Sequence, residues 1–230
     1  MKSAIIIMAK APIAGTVKTR LIPFLTARQA AQFAECLLED TVNKVKALQN
    51  HLIIAYSPAG QIGFFERFAS SSVVFIEQVG DTLGDKIHAA FQFAFAQDLD
   101  SVVMIGTDSP TFPPEFIRQA FDFLETGAAD AVLGKSMDGG FYLIGLRALQ
   151  RDFFENVDWS SPRTFEQTVH NIKKSGLQTA EIPLWYDVDD PADFKRLTEE
   201  FRQNPSAQEI APLTFEWLEQ NARRATDAFS

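Results

Sequence analysis

Lys10, Lys18 and Arg20 fall within one short stretch, "MAKAPIAGTVKTRLIP" (residues 8–23), with Gly15 among them. Cations gathered on one connection can grip phosphate oxygens, and a glycine lets backbone N–H groups come close to them. The stretch is not a Walker A loop, whose pattern G-x-x-x-x-G-K-[ST] needs a glycine where Val17 stands. Arg20 is the foremost candidate, because its planar fork can hold a pair of phosphate oxygens. On the plainer alternative these are surface side chains and Gly15 only makes a turn.

Acidic groups recur further along. "MIGTDSPTFP" (104–113) sets Asp108 just beyond an apolar run, where a carboxylate could hold Mg²⁺ or Mn²⁺ against diphosphate oxygens; an Asx-turn or helix cap is the other reading. "WYDVDDPADF" (185–194) has Asp190 as a helix N-cap and Asp193 in the first turn. Asp187 and Asp189 are left over; on an extended segment both point to one face, so they either complete a metal site with Asp108 or form a solvated connection. "GKSMDGGFYLIGL" (134–146) pairs Asp138 with Gly139-Gly140 before a strand. Asp138 could accept hydrogen bonds from sugar hydroxyls or act as a base, and a plain turn is the alternative.

Parallel strands and helices must position these groups. Short β-rich runs occur at 4–8, 52–56, 73–77, 102–105, 131–133 and 141–144. Between them lie helical patterns. Thr26 and Gln29 make a capping box for a first helix whose Ala30, Phe33, Ala34, Leu37, Thr41, Val45 and Leu48 form one face. A second helix opens near Asp81 and a third after Pro113-Pro114, while Ser161-Pro162 and Asp190-Pro191 read as two more starts. Alternation of this kind predicts an α/β fold: a three-layer α/β/α sandwich on a mostly parallel, Rossmann-like sheet. The opening cluster then leaves the carboxyl end of the first strand, where such sheets bind ligands. Pro205, Pro212, Phe215, Trp217 and Leu218 belong to a helical extension, so the expected organisation is one domain, 1–204, extended by 205–230.

At 230 residues with 46% hydrophobic content the chain can bury one sizeable core. A net charge of −9 argues against general affinity for nucleic acid or anionic lipid, so any phosphate must be held by a local basic cluster. Cys36, the one cysteine, excludes an internal disulfide and a cysteine-based zinc site. The apolar start is interrupted by Lys10 and reads as a strand rather than a secretory signal, and no apolar run is long enough to span a membrane; the expectation is a soluble, cytoplasmic protein. His51, His88 and His170 stand apart, and neither H-E-x-x-H nor a nucleophile elbow is present. Oligomeric state is not legible.

Six ordered blocks, "KAPIAGTVKTRL", "LGDKIHAAF", "GTDSPTFP", "DGGFYLIGL", "VDWSSP" and "DVDDPADF", carry a resemblance over residues 1 to about 200. The chain resembles the GT-A-type nucleotide-diphospho-sugar transferases, and within them a bacterial radical-SAM/selenodomain-associated, arsenosugar-biosynthesis type of glycosyltransferase. Nucleotidyltransferases of the same superfamily share an opening loop ending like Thr19-Arg20-Leu21. The resemblance implies a nucleotide or nucleotide-sugar donor held by Lys10, Ala11, Pro12, Gly15, Lys18, Thr19, Arg20 and Lys86. It also implies a divalent cation at Asp108, Asp187 and Asp189, and a small-molecule acceptor at Asp138, Gly139 and Gly140. In the glycosyl reaction Lys18 and Arg20 would stabilise the departing diphosphate while Asp138 handles the acceptor hydroxyl; in the nucleotidyl reaction pyrophosphate leaves. A nucleotide-binding protein without catalysis is the third reading. Where glycosyltransferases of this fold show Asp-x-Asp, this chain has Gly106-Thr107-Asp108.

Overall fold

The computed structural model describes residues 2–22 and 24–226, with backbone alone for 222–226. Its strands are β1 (Ser3–Lys10), β2 (His51–Ser57), β3 (Val73–Glu77), β4 (Ser101–Ile105), β5 (Ala131–Ser136), β6 (Phe141–Leu146) and β7 (Thr179–Trp185). They form one sheet in the order β3-β2-β1-β4-β6-β5-β7. β6 alone in that sheet runs against its neighbours, and the other pairings are parallel. The helices are α1 (Ala27–Lys46), α2 (Ile62–Phe65), α3 (Leu83–Phe95), α4 (Pro114–Glu125), α5 (Thr164–Lys174), α6 (Pro191–Gln203), α7 (Pro205–Ile210) and α8 (Pro212–Thr226).

β1 is central and its apolar run has no polar face. Ile5 and Ile7 point to the layer of α1, α2 and α4, while Ala4 and Ile6 point to the layer of α3 and α5. All four are fully buried, and each isoleucine side chain contributes roughly 1.5–3 kcal/mol by leaving water. Helices on both faces make the expected three-layer α/β/α sandwich with a mixed, mostly parallel sheet. Successive crossovers from β1 run to β2 and β3 on one side, and β4 lies on the other. The strand order therefore reverses between β1 and β4, and a crevice opens beyond their carboxyl ends.

The capping boxes of α1 (Thr26 with Gln29) and α6 (Asp190 with Asp193) are present as the sequence indicates. α3 is capped by Thr82 with Asp85. The Ser161-Pro162 start needs correction, because α5 begins at Thr164 and Arg163 precedes it without a side-chain cap. Thr164 instead donates back to the Asp158 and Ser161 carbonyls, which keeps 161–163 in a turn. β7 had no counterpart among the runs read from sequence.

A third apolar cluster lies outside the sandwich. Phe33 of α1 packs on Phe194 of α6 and Trp217 of α8, and Leu21 and Val188 are buried in the same cluster. Asp40 of α1 accepts from the Leu213 and Thr214 backbone N–H groups and the Thr214 hydroxyl, capping α8 from across the cluster. Residues 227–230, the end of the expected extension, lie outside the described residues.

Candidate functional site

The site grows from the ends of β1, β4 and β7. After Lys10 the chain turns through Gly15, whose φ of +82° suits glycine and where an added Cβ would meet no neighbouring atom. Lys10 spans this turn, donating to the Thr16 carbonyl at 2.7 Å. Lys18 then adopts a left-handed backbone (φ 46°, ψ 40°), and the next turn drives Leu21 into the outer cluster. For a residue with a Cβ that conformation costs about 1–2 kcal/mol, so something must hold it.

What holds it is a set of oxygens from distant segments. The Lys18 ammonium donates to the Val188 carbonyl at 2.8 Å and to Asp189 Oδ1 at 3.0 Å, and it pairs with the Asp108 carboxylate. The Val188 N–H in turn donates to the Asp108 carbonyl at 2.8 Å, stitching the two acidic segments together. The Lys18 side chain is only 5% exposed, while those of Asp108 and Asp189 are 49% and 41% exposed. The cation is thus sealed in and its counter-charges face solvent. Burial acts to lower the lysine pKa, but the charges and hydrogen bonds of Asp108 and Asp189 outweigh it and leave the pKa above the ordinary lysine value.

Asp187 sits deeper. It accepts from the hydroxyls of Ser109 and Ser136, the latter at 2.7 Å. Burial pushes its carboxyl up to about 6; the two serines pull the other way, and the nearby charges of Asp108 and Asp138 add to the rise. Among the described residues, then, no three acids are grouped as a ready-made metal cage. Asp108 and Asp189 share a lysine, and Asp187 is taken by serines.

The crevice has a volume of ≈ 580 Å³ and brings together Lys10, Lys18, Lys86, Asp108, Asp187 and Asp189. It does not include every expected residue. Arg20 is exposed, forms no ion pair among the described residues and lies on the flank of the crevice rather than in its lining. The cause is the left-handed turn at Lys18: it sends Lys18 inward and leaves the neighbouring Thr19 and Arg20 exposed. Ala11, Pro12 and Gly15 also build the loop without lining the crevice. Asp138 is exposed and accepts from the Gly140 N–H at 2.8 Å in a tight turn, and a Cβ at Gly139 would stand 2.3 Å from the Pro162 carbonyl oxygen. Asp138, Gly139 and Gly140 thus have structural work in the hairpin beside the crevice.

Residues not anticipated complete the walls. Gln78, just past β3, donates to the Ala9 and Ala55 carbonyls, and Thr107, Phe141 and Tyr142 line the opposite side. The pairing of Ser109 and Ser136 with Asp187 spans three segments and has no local signal. Lys44 of α1 is also buried, donating to the carbonyls of Pro110 and Phe112 in the loop that presents Asp108.

This is the fold of the GT-A-like nucleotide-diphospho-sugar transferase superfamily. The chain belongs to the bacterial family described as "Uncharacterized protein conserved in bacteria (DUF2064)", which matches residues 41–161. It is similar to a proposed nucleotide-diphospho-sugar transferase from Desulfovibrio desulfuricans G20, with 30% identity over 99% of this chain and 98% of that one and a TM-score of 0.89. Molybdopterin-guanine dinucleotide biosynthesis protein A from Archaeoglobus fulgidus is 18% identical, covering 88% of this chain and 100% of that one, with a TM-score of 0.53. Glucosyl-3-phosphoglycerate synthase from Mycobacterium tuberculosis, in complex with Mn²⁺, uridine diphosphate and glucosyl-3-phosphoglycerate, is 11% identical over 92% and 80% of the two chains, with a TM-score of 0.52. These last two share the fold. No curated protein matches the chain. No helix among the described residues is long and apolar enough to cross a membrane.

Proposed function

We propose that the chain is a transferase using nucleotide-activated donors, and specifically a divalent-cation-dependent nucleotide-diphospho-sugar glycosyltransferase. The observation that carries this is the meeting of Lys18, Asp108 and Asp189 in a crevice at the strand-order reversal. Its volume suits a small-molecule ligand. The fold and the 30% identical relative support the same class. The narrower reading within it is the radical-SAM/selenodomain-associated type that the sequence blocks resemble. Residues 1–204 would be the transferase domain and 205–230 its helical extension.

Asp108 and Asp189 fit a hard cation, since both are half-exposed carboxylates already gathered around a positive charge, the Lys18 ammonium. When bound there, Mg²⁺ or Mn²⁺ would neutralise charge building on a departing diphosphate. The protein's own groups would do the rest. Lys10, Lys18 and Lys86 bind phosphate oxygens, the Gly106-Thr107 segment lets the donor lie close to the backbone, and Asp138 orients the acceptor hydroxyl from the crevice edge.

Nucleotidyl transfer is a second reading, favoured by Gly106 and Thr107 standing where a leading acid is usual in glycosyl transfer. Incubation with Mn²⁺, acceptor panels, and either sugar nucleotides or nucleoside triphosphates separates the readings. Release of nucleoside diphosphate supports glycosyl transfer, and release of pyrophosphate supports nucleotidyl transfer. Thermal stabilisation by nucleotide without turnover supports a binding protein.

A further inference from the structure

The Lys18 ammonium has the surroundings of a metal ion. Its partners are two carboxylates and a backbone carbonyl, the oxygen set that Mg²⁺ and Mn²⁺ take, and the carboxylates remain half-exposed while the ammonium does not. Its backbone is strained, and the turn ahead of it at Gly15 is exposed with open space around it. Lys18 also lines the crevice.

We propose that Lys18 is a resident counter-ion that holds the divalent-cation position and yields it only when a metal and an anionic ligand arrive together. A metal ion alone must expel the ammonium from Asp108, Asp189 and the Val188 carbonyl and leave it buried without a counter-charge. That exchange is unfavourable, because it breaks charge-assisted hydrogen bonds and strands a buried charge. A metal ion entering with a diphosphate supplies the replacement, since phosphate oxygens in the crevice take over the ammonium. Metal and anion affinities are thereby coupled, and the coupling is reciprocal. The inference rests on Asp108 and Asp189 as cation ligands, but it requires no particular donor, acceptor or reaction.

Its test is a Mn²⁺ titration of the protein without nucleotide, with free Mn²⁺ read by electron paramagnetic resonance. Wild-type protein is expected to bind weakly, and Lys18→Met about tenfold or more tightly. Adding Asp108→Asn to Lys18→Met should abolish the gain. Equal or weaker binding by Lys18→Met, or a tight site that survives Asp108→Asn, overturns the proposal. A second measurement adds the anion: Mn²⁺ and inorganic pyrophosphate together should raise the wild-type melting temperature by more than the sum of their separate shifts, and Lys18→Met should lose most of that excess. Additive shifts in the wild type, or an excess that Lys18→Met keeps in full, overturn the proposal as well. Failure of the transferase reading would leave both readouts untouched, since no donor is present in either.

Discussion

Lys44 Nζ, buried beneath α1, donates to the carbonyl oxygen of Pro110 at 2.7 Å and to that of Phe112 at 2.9 Å, and sits 3.8 Å above the Phe112 ring. A lysine so enclosed ties α1 to the loop that carries Asp108. Burial lowers its pKa to about 7, with Asp40 and Glu200 opposing the fall. A neutral amine keeps two N–H groups, enough for both carbonyls.

The sign of the pH effect follows. Between about pH 7 and the ordinary lysine value, the folded chain has released this proton and the unfolded chain retains it. The Lys44 contribution to stability therefore rises with pH across that window, by at most about 1.4 kcal/mol per pH unit. Urea unfolding at pH 6.5 and 9 should show this rise in the wild type and lose it in Lys44→Met. That variant should also be less stable by about 1–3 kcal/mol at pH 9, because two buried carbonyls lose their donor. An unchanged pH slope would remove Lys44 as its source.

Asp108→Asn and Arg20→Ala separate the crevice from its flank. Asp108→Asn takes one counter-charge from Lys18 and a candidate cation ligand from the crevice, so Mn²⁺-nucleotide binding should weaken by about tenfold with little change in melting temperature. Arg20 is exposed outside the crevice, and Arg20→Ala should change affinity by less than about twofold. Isothermal titration with Mn²⁺ and UDP or CTP reads both. A large loss in Arg20→Ala would mean that the ligand extends past the crevice lining.

The contrast between these two residues marks where sequence reasoning stops. Capping chemistry is local, so the starts of α1 and α6 could be read from Thr26/Gln29 and Asp190/Asp193. Both-face burial made β1 and β4 visible as unbroken apolar runs. β7 was not visible, because it is an edge strand containing Pro183 in which only Ile182 is buried. The basic loop and the acidic segments were legible as chemistry. Which cation turns inward was not: it depends on a left-handed backbone at Lys18 and on Leu21 and Val188 sharing a core, which are facts of tertiary packing.

Gly84 and Trp159 give a prediction about the crevice wall. Gly84 is buried at the start of α3, and a Cβ there would lie 2.8 Å from the Trp159 ring. The ring is held against Phe141 and Phe154, and Phe141 lines the crevice. Gly84→Ala gains helix propensity worth about 1 kcal/mol, but forcing a rigid indole out of place costs roughly 1–3 kcal/mol. The net expectation is destabilisation, with a changed tryptophan emission maximum. Stabilisation with unaltered emission would mean that the indole gives way freely.

Asp40 tests whether the helical extension is integral to the fold. Asp40 is 1% exposed, and its carboxylate satisfies the Leu213 N–H, the Thr214 N–H and the Thr214 hydroxyl. Burial raises its pKa above the usual carboxylate range, while the Thr214 and Leu213 hydrogen bonds and the Lys44 charge oppose the rise. Asp40→Ala leaves two helix N-terminal N–H groups and the Thr214 hydroxyl without their acceptor, so a loss of about 1–3 kcal/mol is expected. If α8 is an independent appendage, unfolding of Asp40→Ala should split into two transitions. Because Trp217 of α8 packs on Phe33 of α1, the expected result is one cooperative transition at a lower midpoint, with tryptophan fluorescence and far-ultraviolet circular dichroism moving together.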